Sequence, residues 1–479
     1  MRRAVSALCA VFLIAVPAVA DERLSDQWME ILMNGKKIGF SRQKVTRTTS
    51  GYAIEGRTLM KFEVQGVEQS LSTSQTYFLD AAYHPLRFTY MQKMLNHQQF
   101  FEGVVEGKKL RLTVRSGGNV TEKTIDFDGD MYIADAIGLL LGKKKLKEGQ
   151  KYRYRVFLEP LLASEVMTVE VQKKMKIPHR GKQEEVYPVT MKLKSFSTVS
   201  YFTPDGRLLR EISPMGFVSE EVDEVHAVSF PARTMSFTDL LAYSLIPLEK
   251  PLKNPDGITA LELRVSGLSG PAIIPDDDRQ KAVSSAKSPG KETWTVNLSV
   301  RTAFPAQSVA RPVSDVRFKT ELASSVEAQS DDPRIVTQSA KIVGNEKDAY
   351  RAAAKINRWV HENVTKKYVD TFSAVETLQT LEGECQSHTT LFAALARAAG
   401  IPARTVSGIV YSEQFGGFLY HAWPEVWVGA WVAMDPTFGQ DIADATHVKL
   451  SAGELSSQLQ LFEFIGKIGI EVTSAKGGE

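Results

Sequence analysis

Gly383-Glu384-Cys385-Gln386-Ser387-His388-Thr389-Thr390-Leu391-Phe392-Ala393-Ala394-Leu395-Ala396-Arg397-Ala398-Ala399-Gly400-Ile401-Pro402 is the stretch whose reading decides the fold. Its Ala- and Leu-rich run predicts a helix from Cys385 to Ala399. Gly400 supplies the C′ residue, and Pro402 cannot continue the helix. A cysteine is thereby expected at a helix start, where the positive end of the dipole and the free N–H groups stabilise a thiolate. The same N–H groups can hold the negative oxygen of a tetrahedral intermediate.

Working outward, His421 lies in Tyr420-His421-Ala422-Trp423-Pro424-Glu425-Val426-Trp427, and Asp435 in Trp431-Val432-Ala433-Met434-Asp435-Pro436-Thr437. A thiol, a histidine and an acid in that order are the parts of a thiol nucleophile with an oriented base. In that reading His421 pairs with the thiolate and protonates the leaving amine, and Asp435 orients the imidazole. Strand parity imposes a condition. A two-residue turn at Gly429-Ala430 would pair Val428 with Trp431 and put His421 and Asp435 on opposite faces. Cooperation requires an odd loop count or a bulge, expected near Pro424 or Gly429. His388, one turn after the cysteine, is expected to pack against it rather than to tune the thiol. His447 is expected to pack or cap locally. Trp423, Trp427 and Trp431, half of the six tryptophans, read as strand core.

The chain has 479 residues, 43% hydrophobic and 24% charged, an ordinary globular composition with room for roughly three domains. Residues 1–20 read as a secretory signal: basic Arg2-Arg3, an apolar run to Val16, then Ala18-Val19-Ala20 before the cleavage point. This predicts a periplasmic or secreted protein. Loss of Arg2 and Arg3 leaves 56 basic against 56 acidic residues, so no basic excess points to nucleic acid or an anionic membrane. No later stretch is long and apolar enough for a transmembrane helix. Cys9 leaves with the leader, so Cys385 has no partner for an internal disulfide. A free thiol in an oxidising compartment argues for a use. The bland alternative is a buried, inert cysteine.

Residues 21–247 read as a large antiparallel sheet or open barrel of roughly ten strands, with a hairpin turn at Asn34-Gly35, a second turn at Pro204-Asp205-Gly206 and one helix around Met131–Leu141. Residues 248–339 read as a small β module or linker, with strands at Leu261–Val265 and Thr293–Arg301 and a solvated acidic loop at Asp276-Asp277-Asp278. From 340 to 450 the pattern becomes helices followed by strands, with Ile356, Trp359, Val360 and Val364 on one helix face. Residues 451–479 read as a C-terminal extension packing on this core.

Residues 383–404, 420–427 and 431–440 together resemble the Cys, His and Asp motifs of the transglutaminase-like superfamily, and Ala443-Asp444-Ala445-Thr446-His447 is similar to the corresponding tail of bacterial secreted members. The resemblance covers roughly 340–450. It implies an α+β fold whose C-terminal papain-like core follows the large antiparallel β domain. It also implies acyl transfer at an amide through a Cys thioester, with Cys385 as nucleophile, His421 as base and Asp435 as orienting acid. Members include cross-linking enzymes, peptidases, amidases and inactive binding modules, so an envelope binding or scaffold protein using the β domain is the alternative. No cofactor or metal is expected, because the calcium sites of animal members have no evident counterpart. Gln379 matches the offset of the papain-like oxyanion-hole glutamine, but reads as a surface residue. A peptide or protein of the cell envelope is the expected substrate, by location only. The motifs do not report hydrolysis versus transamidation.

Overall fold

The computed structural model describes residues 21–478 apart from 65–66, 95–96, 195, 214–215, 232–234, 237–243, 368–370, 372, 454–459 and 462. The leader-like residues 1–20 lie outside the described residues. The fold is α+β, with a large N-terminal β domain and a C-terminal helix-and-sheet core.

The N-terminal sheet gathers 17 strands among the described residues, more than the ten read from sequence. Eight consecutive strands from Glu22–Met33 to Asn119–Asp126 form an antiparallel meander. A second runs from Lys151–Leu158 to Phe217–Val222, and its last strand returns to pair with the first, Trp28 opposite Val222. One buried cluster draws side chains from both meanders, including Ile54, Leu79, Phe88, Leu110, Val156 and Val189. Asn34 (φ 50°) and Gly35 (φ 73°) make the expected turn with two positive φ values, which matches the twist of the flanking strands. The helix expected around Met131–Leu141 is shorter. Met131–Ile133 is a strand parallel to Lys151–Leu158, and the α-helix occupies Ile137–Lys143.

The middle region is a four-stranded sheet, Gln280–Lys287, Trp294–Arg301, Ile258–Leu268 and Gly469–Gly477 in that order. Its last strand comes from the C-terminal segment, so residues 469–477 complete this sheet. Its core is continuous with Ile409, Tyr411, Phe418 and Leu450 of the C-terminal sheet. The acidic loop is not simply solvated. Oδ1 of Asp277 accepts from the N–H groups of Arg279 and Gln280, both at 2.8 Å, and its other oxygen pairs with the buried Lys449.

The C-terminal core sets four helices, Pro333–Val343, Ala349–Asn363, Ala374–Thr380 and Cys385–Ala398, against a five-stranded sheet. Asp332, Asp348 and Ser373 cap the first three through side-chain oxygens, satisfying N–H groups that have no partner within the helix. Ile356 and Val360 are fully buried in the cluster that also holds Leu391, Phe392, Leu395 and Val426. The N-terminal sheet grips the helix before the cysteine. Glu376 is 4% exposed, takes Ser116 Oγ at 3.0 Å and lies 2.7 Å from His97 Nδ1.

Candidate active site

Cys385 opens its helix as expected, and the capping residue Glu384 makes no side-chain hydrogen bond there. The turn in front of it is packed tightly. A Cβ on Gly383 would stand 2.3 Å from Ser387 Cβ, so only glycine fits. Ser387 Oγ in turn accepts from the Thr371 backbone N–H at 3.1 Å. His388 is fully buried, its ring nitrogens facing the carbonyls of Glu384 (2.9 Å) and Val364 (3.2 Å). Burial pushes it below the ordinary histidine range. It braces the turn, in line with the packing role read from sequence.

His421 lies on the strand Gly417–Trp427, which pairs with Trp431–Ala433 through Trp427 opposite Trp431. The connecting loop is Val428-Gly429-Ala430, three residues, so the odd count that cooperation requires is present. Continuing that register sets Asp435 opposite Trp423, on the face of His421. His421 Nε2 stands 2.7 Å from Asp435 Oδ2. With Nε2 so engaged, Nδ1 is left for the sulfur, and Cys385 lies close enough to favour the charged form of this imidazole. The ring is stacked by Phe438 (4.9 Å, 11°) on one side and Trp423 (6.1 Å, 23°). Trp423 is fully buried and lies over Gly408, where a Cβ would be 2.5 Å from the indole.

The charges are strongly coupled. Burial would lower His421, but the Asp435 carboxylate and then Cys385 more than reverse this, holding it up to about 10. Burial would likewise raise Asp435, yet His421 and His447 hold it well below the carboxylate range. Asp435 is fully enclosed. Its Oδ1 accepts from the N–H groups of Thr437 (2.6 Å) and Phe438 (3.0 Å).

Residues 336–436 match the family model of the transglutaminase-like superfamily. This core is transglutaminase-like. The match stops one residue past Asp435 and supports thiol-dependent catalysis in general. No curated protein matches the chain. Among solved structures, a candidate cysteine protease from Cytophaga hutchinsonii is 17% identical, with a TM-score of 0.32 over 46% of this chain and 86% of that one. A β-barrel-like domain of unknown function from Brucella abortus is 14% identical, TM-score 0.34, over 41% and 95%. A candidate protease from Parabacteroides distasonis is 10% identical, TM-score 0.20, over 75% and 67%.

Beyond the matched segment, the transglutaminase-like core holds a residue whose place the sequence reading missed. His447 does more than pack. Its Nε2 reaches the same Asp435 Oδ2 at 2.9 Å, and its Nδ1 faces Asp444 Oδ1 at 3.2 Å. Both ring nitrogens therefore face carboxylates, the situation of an imidazolium. Burial opposes that charge, but Asp435 and Asp444 outweigh it and raise His447. Asp444 is held down to about 2, burial being overcome by His447, Thr446 and Gln440. Arg279 of the middle sheet donates to the carbonyls of Asp444 and His447, fixing the turn. The usable signal was the Asp444-to-His447 spacing, which permits a local carboxylate–imidazole pair.

The donor atoms of His421, Asp435 and His447 lie within 4.8 Å of one another, a spacing that could hold a metal ion and that the sequence did not suggest. Here both nitrogens point at the shared oxygen as hydrogen-bond donors, so a metal would have to displace two protons. Gln379 is exposed. Oriented to satisfy its neighbours, its amide nitrogen donates to the Gly117 carbonyl at 3.1 Å and its oxygen accepts from Arg334 at 2.7 Å. Trp427 and Trp431 are only half-buried and pack with Phe318 beside the core, so of the three tryptophans read as strand core Trp423 alone is fully buried. No helix among the described residues is long and apolar enough to cross a membrane.

Proposed function

We propose that the protein is an exported thiol enzyme that transfers acyl groups at amide bonds, as a peptidase, amidase or transglutaminase. The supporting observation is the continuous line from Cys385, at an open helix start, through His421 to the enclosed Asp435. The Cys385 sulfur attacks the amide carbonyl carbon and the C–S bond forms. Negative charge on the oxygen is met by N–H groups of the first helical turn. The C–N bond then breaks as His421 delivers its proton to the departing amine, leaving a thioester. Water or a second amine gives its proton to His421, attacks the thioester and frees the thiol. Asp435 holds the imidazole in place and matches its charge throughout. Export rests on the leader-like residues 1–20, and envelope peptides or proteins are the substrate class that location favours.

Iodoacetamide labelling of Cys385 across pH, in wild type and His421→Ala, tests this. An activated pair gives a wild-type rate at pH 6 well above that of the variant. Superimposable profiles, each rising like a free cysteine, would refute it. Mass spectrometry of an acyl adduct trapped on Cys385 then identifies the substrate.

A further inference from the structure

The N-terminal domain is not filled with apolar side chains throughout. Beside its apolar cluster, a cavity of about 660 Å³ opens between the first four strands, the strands Leu208–Ile212 and Phe217–Val222, and the turn at 134–139. A β domain whose interior serves only as a core turns apolar residues inward. Here Gln43, Gln75, Asp135 and Glu211 line the space.

The charges in this lumen do not balance. Asp26 is neutralised by Arg42, which reaches both its oxygens at 2.7 Å. Glu221 is neutralised by Arg207 at 3.0 Å. Asp135 receives only the Gln75 amide at 3.2 Å, and Glu211 only Ser200 Oγ at 2.6 Å. Neither has a cationic partner among the described residues. They lie close enough for the charge on Asp135 to raise Glu211, after burial, which acts first on both. Behind them Glu159, 7% exposed, keeps one carboxyl oxygen without a partner. Gln75, having given its N–H to Asp135, keeps an enclosed carbonyl oxygen with no donor.

The unmet groups in and beside this cavity are therefore acceptors, and the unmatched charge is negative. An alkylammonium group brings three N–H donors, no acceptor and one positive charge. Buried carboxylates without such a partner carry a desolvation cost that an ammonium would offset. We propose that the lumen of the N-terminal domain is a binding site for a primary ammonium group on a flexible chain. A lysine side chain of a peptide and a free diamine are two sources of that chemistry. The site stands apart from Cys385 and does not depend on the thiol reading.

The test is calorimetric titration of the full chain at pH 7 with three probes: acetyl-Ala-Lys-Ala-amide, the same peptide acetylated on its lysine, and cadaverine. The expected result is binding of the free-amine peptide or of cadaverine, with at least tenfold weaker binding of the acetylated peptide. The tighter of the two amines identifies the source. Asp135→Asn and Glu211→Gln, close in shape to the originals, should each weaken binding about tenfold while the melting temperature stays within a few degrees. No binding at millimolar probe, equal binding of the acetylated peptide, or displacement of the amine by equimolar calcium would each overturn the proposal. The contrast between the two peptides requires no variant, so a misfolded mutant does not remove the test.

Discussion

Replacing Asp435 with Asn removes one charge and keeps the shape, and its first effect falls on the imidazole of His421. That ring is lifted from 6.5 to about 10. At about 1.4 kcal/mol per pH unit, the lift is worth roughly 5 kcal/mol in favour of the imidazolium. Asp435 is the largest raising influence, with Cys385 second. Without the carboxylate, burial acts on the ring opposed mainly by the sulfur, and His421 loses most of its proton affinity. The Asn amide would also turn either an N–H₂ or an oxygen toward two imidazole nitrogens that now share one acceptor. Iodoacetamide labelling of Cys385 at pH 6 should slow by at least ~10-fold, and turnover of any substrate by on the order of 10³–10⁴-fold, the loss typical of an orienting acid. At pH 10, where thiols ionise unaided, the labelling rates should converge. The stability readout has a definite sign. A histidine raised in the folded state stabilises fully below pH ~6.5, and that contribution disappears as pH rises through about 10. Wild-type melting temperature should therefore fall between pH 7 and pH 10, and Asp435→Asn should flatten that slope. Identical labelling profiles for the two proteins would refute the coupling of Asp435 to the thiol through His421.

Three further substitutions probe the supports. His447→Leu leaves Asp435 and Asp444 facing one another without the buried cation between them, which should cost on the order of 3–5 kcal/mol in urea unfolding. Glu376→Ala strands His97 and Ser116 at the contact between the N-terminal sheet and the helix before the cysteine. About 1–3 kcal/mol per orphaned group is expected, read as faster hydrogen exchange across 97–116 and 374–380. Gly408→Ala drives a Cβ to 2.2 Å from the Val448 carbonyl and 2.5 Å from Trp423. It should destabilise by about 1–3 kcal/mol or more, and an unchanged unfolding midpoint would contradict that packing.

Cys385, His421 and Asp435 were legible because each sits where local rules are strong: a helix start, a Trp-rich strand and a strand end. Parity anticipated an odd loop or a bulge, since period-2 alternation with a two-residue turn would part His421 from Asp435, and the structure takes the odd loop. The helix Pro333–Val343 was overlooked, although Asp332-Pro333 carries a start signal, an acceptor side chain followed by a residue that has no N–H to satisfy. The strand Gln280–Lys287 was hidden for another reason. Seven of its eight residues are exposed, so no alternation marks it, and it is held by the ladder to Trp294–Arg301 and by the buried Gln280 side chain, which bonds to the backbone of Lys449. Long-range pairings were out of reach. Nothing near Gly469–Gly477 announces Ile258–Leu268 as its partner. His447 was missed because its meaning depends on Asp435, 12 residues away on another segment.

That second histidine answers a physical question raised by the proposed reaction. When His421 gives its proton to the leaving amine, a buried Asp435 matched by His421 alone would be left as an unpaired anion in the core, at a cost of several kcal/mol. His447 and the N–H groups of Thr437 and Phe438 stay on the carboxylate throughout that step. Asp444 keeps His447 charged in turn. From His421 inward the charges alternate, so a proton can leave His421 without stranding a charge. The effect of removing His447 is opposite in sign to that of the Asp435 substitution. A cation on Asp435 draws part of its field away from His421, so His447→Gln, which keeps one hydrogen bond and removes the charge, should raise the proton affinity of His421. The alkaline limb of the Cys385 labelling profile should move up in His447→Gln and down in Asp435→Asn. A merely structural role for His447 would move both in the same direction, or lower only the melting temperature, and either result would dismiss it as part of the relay.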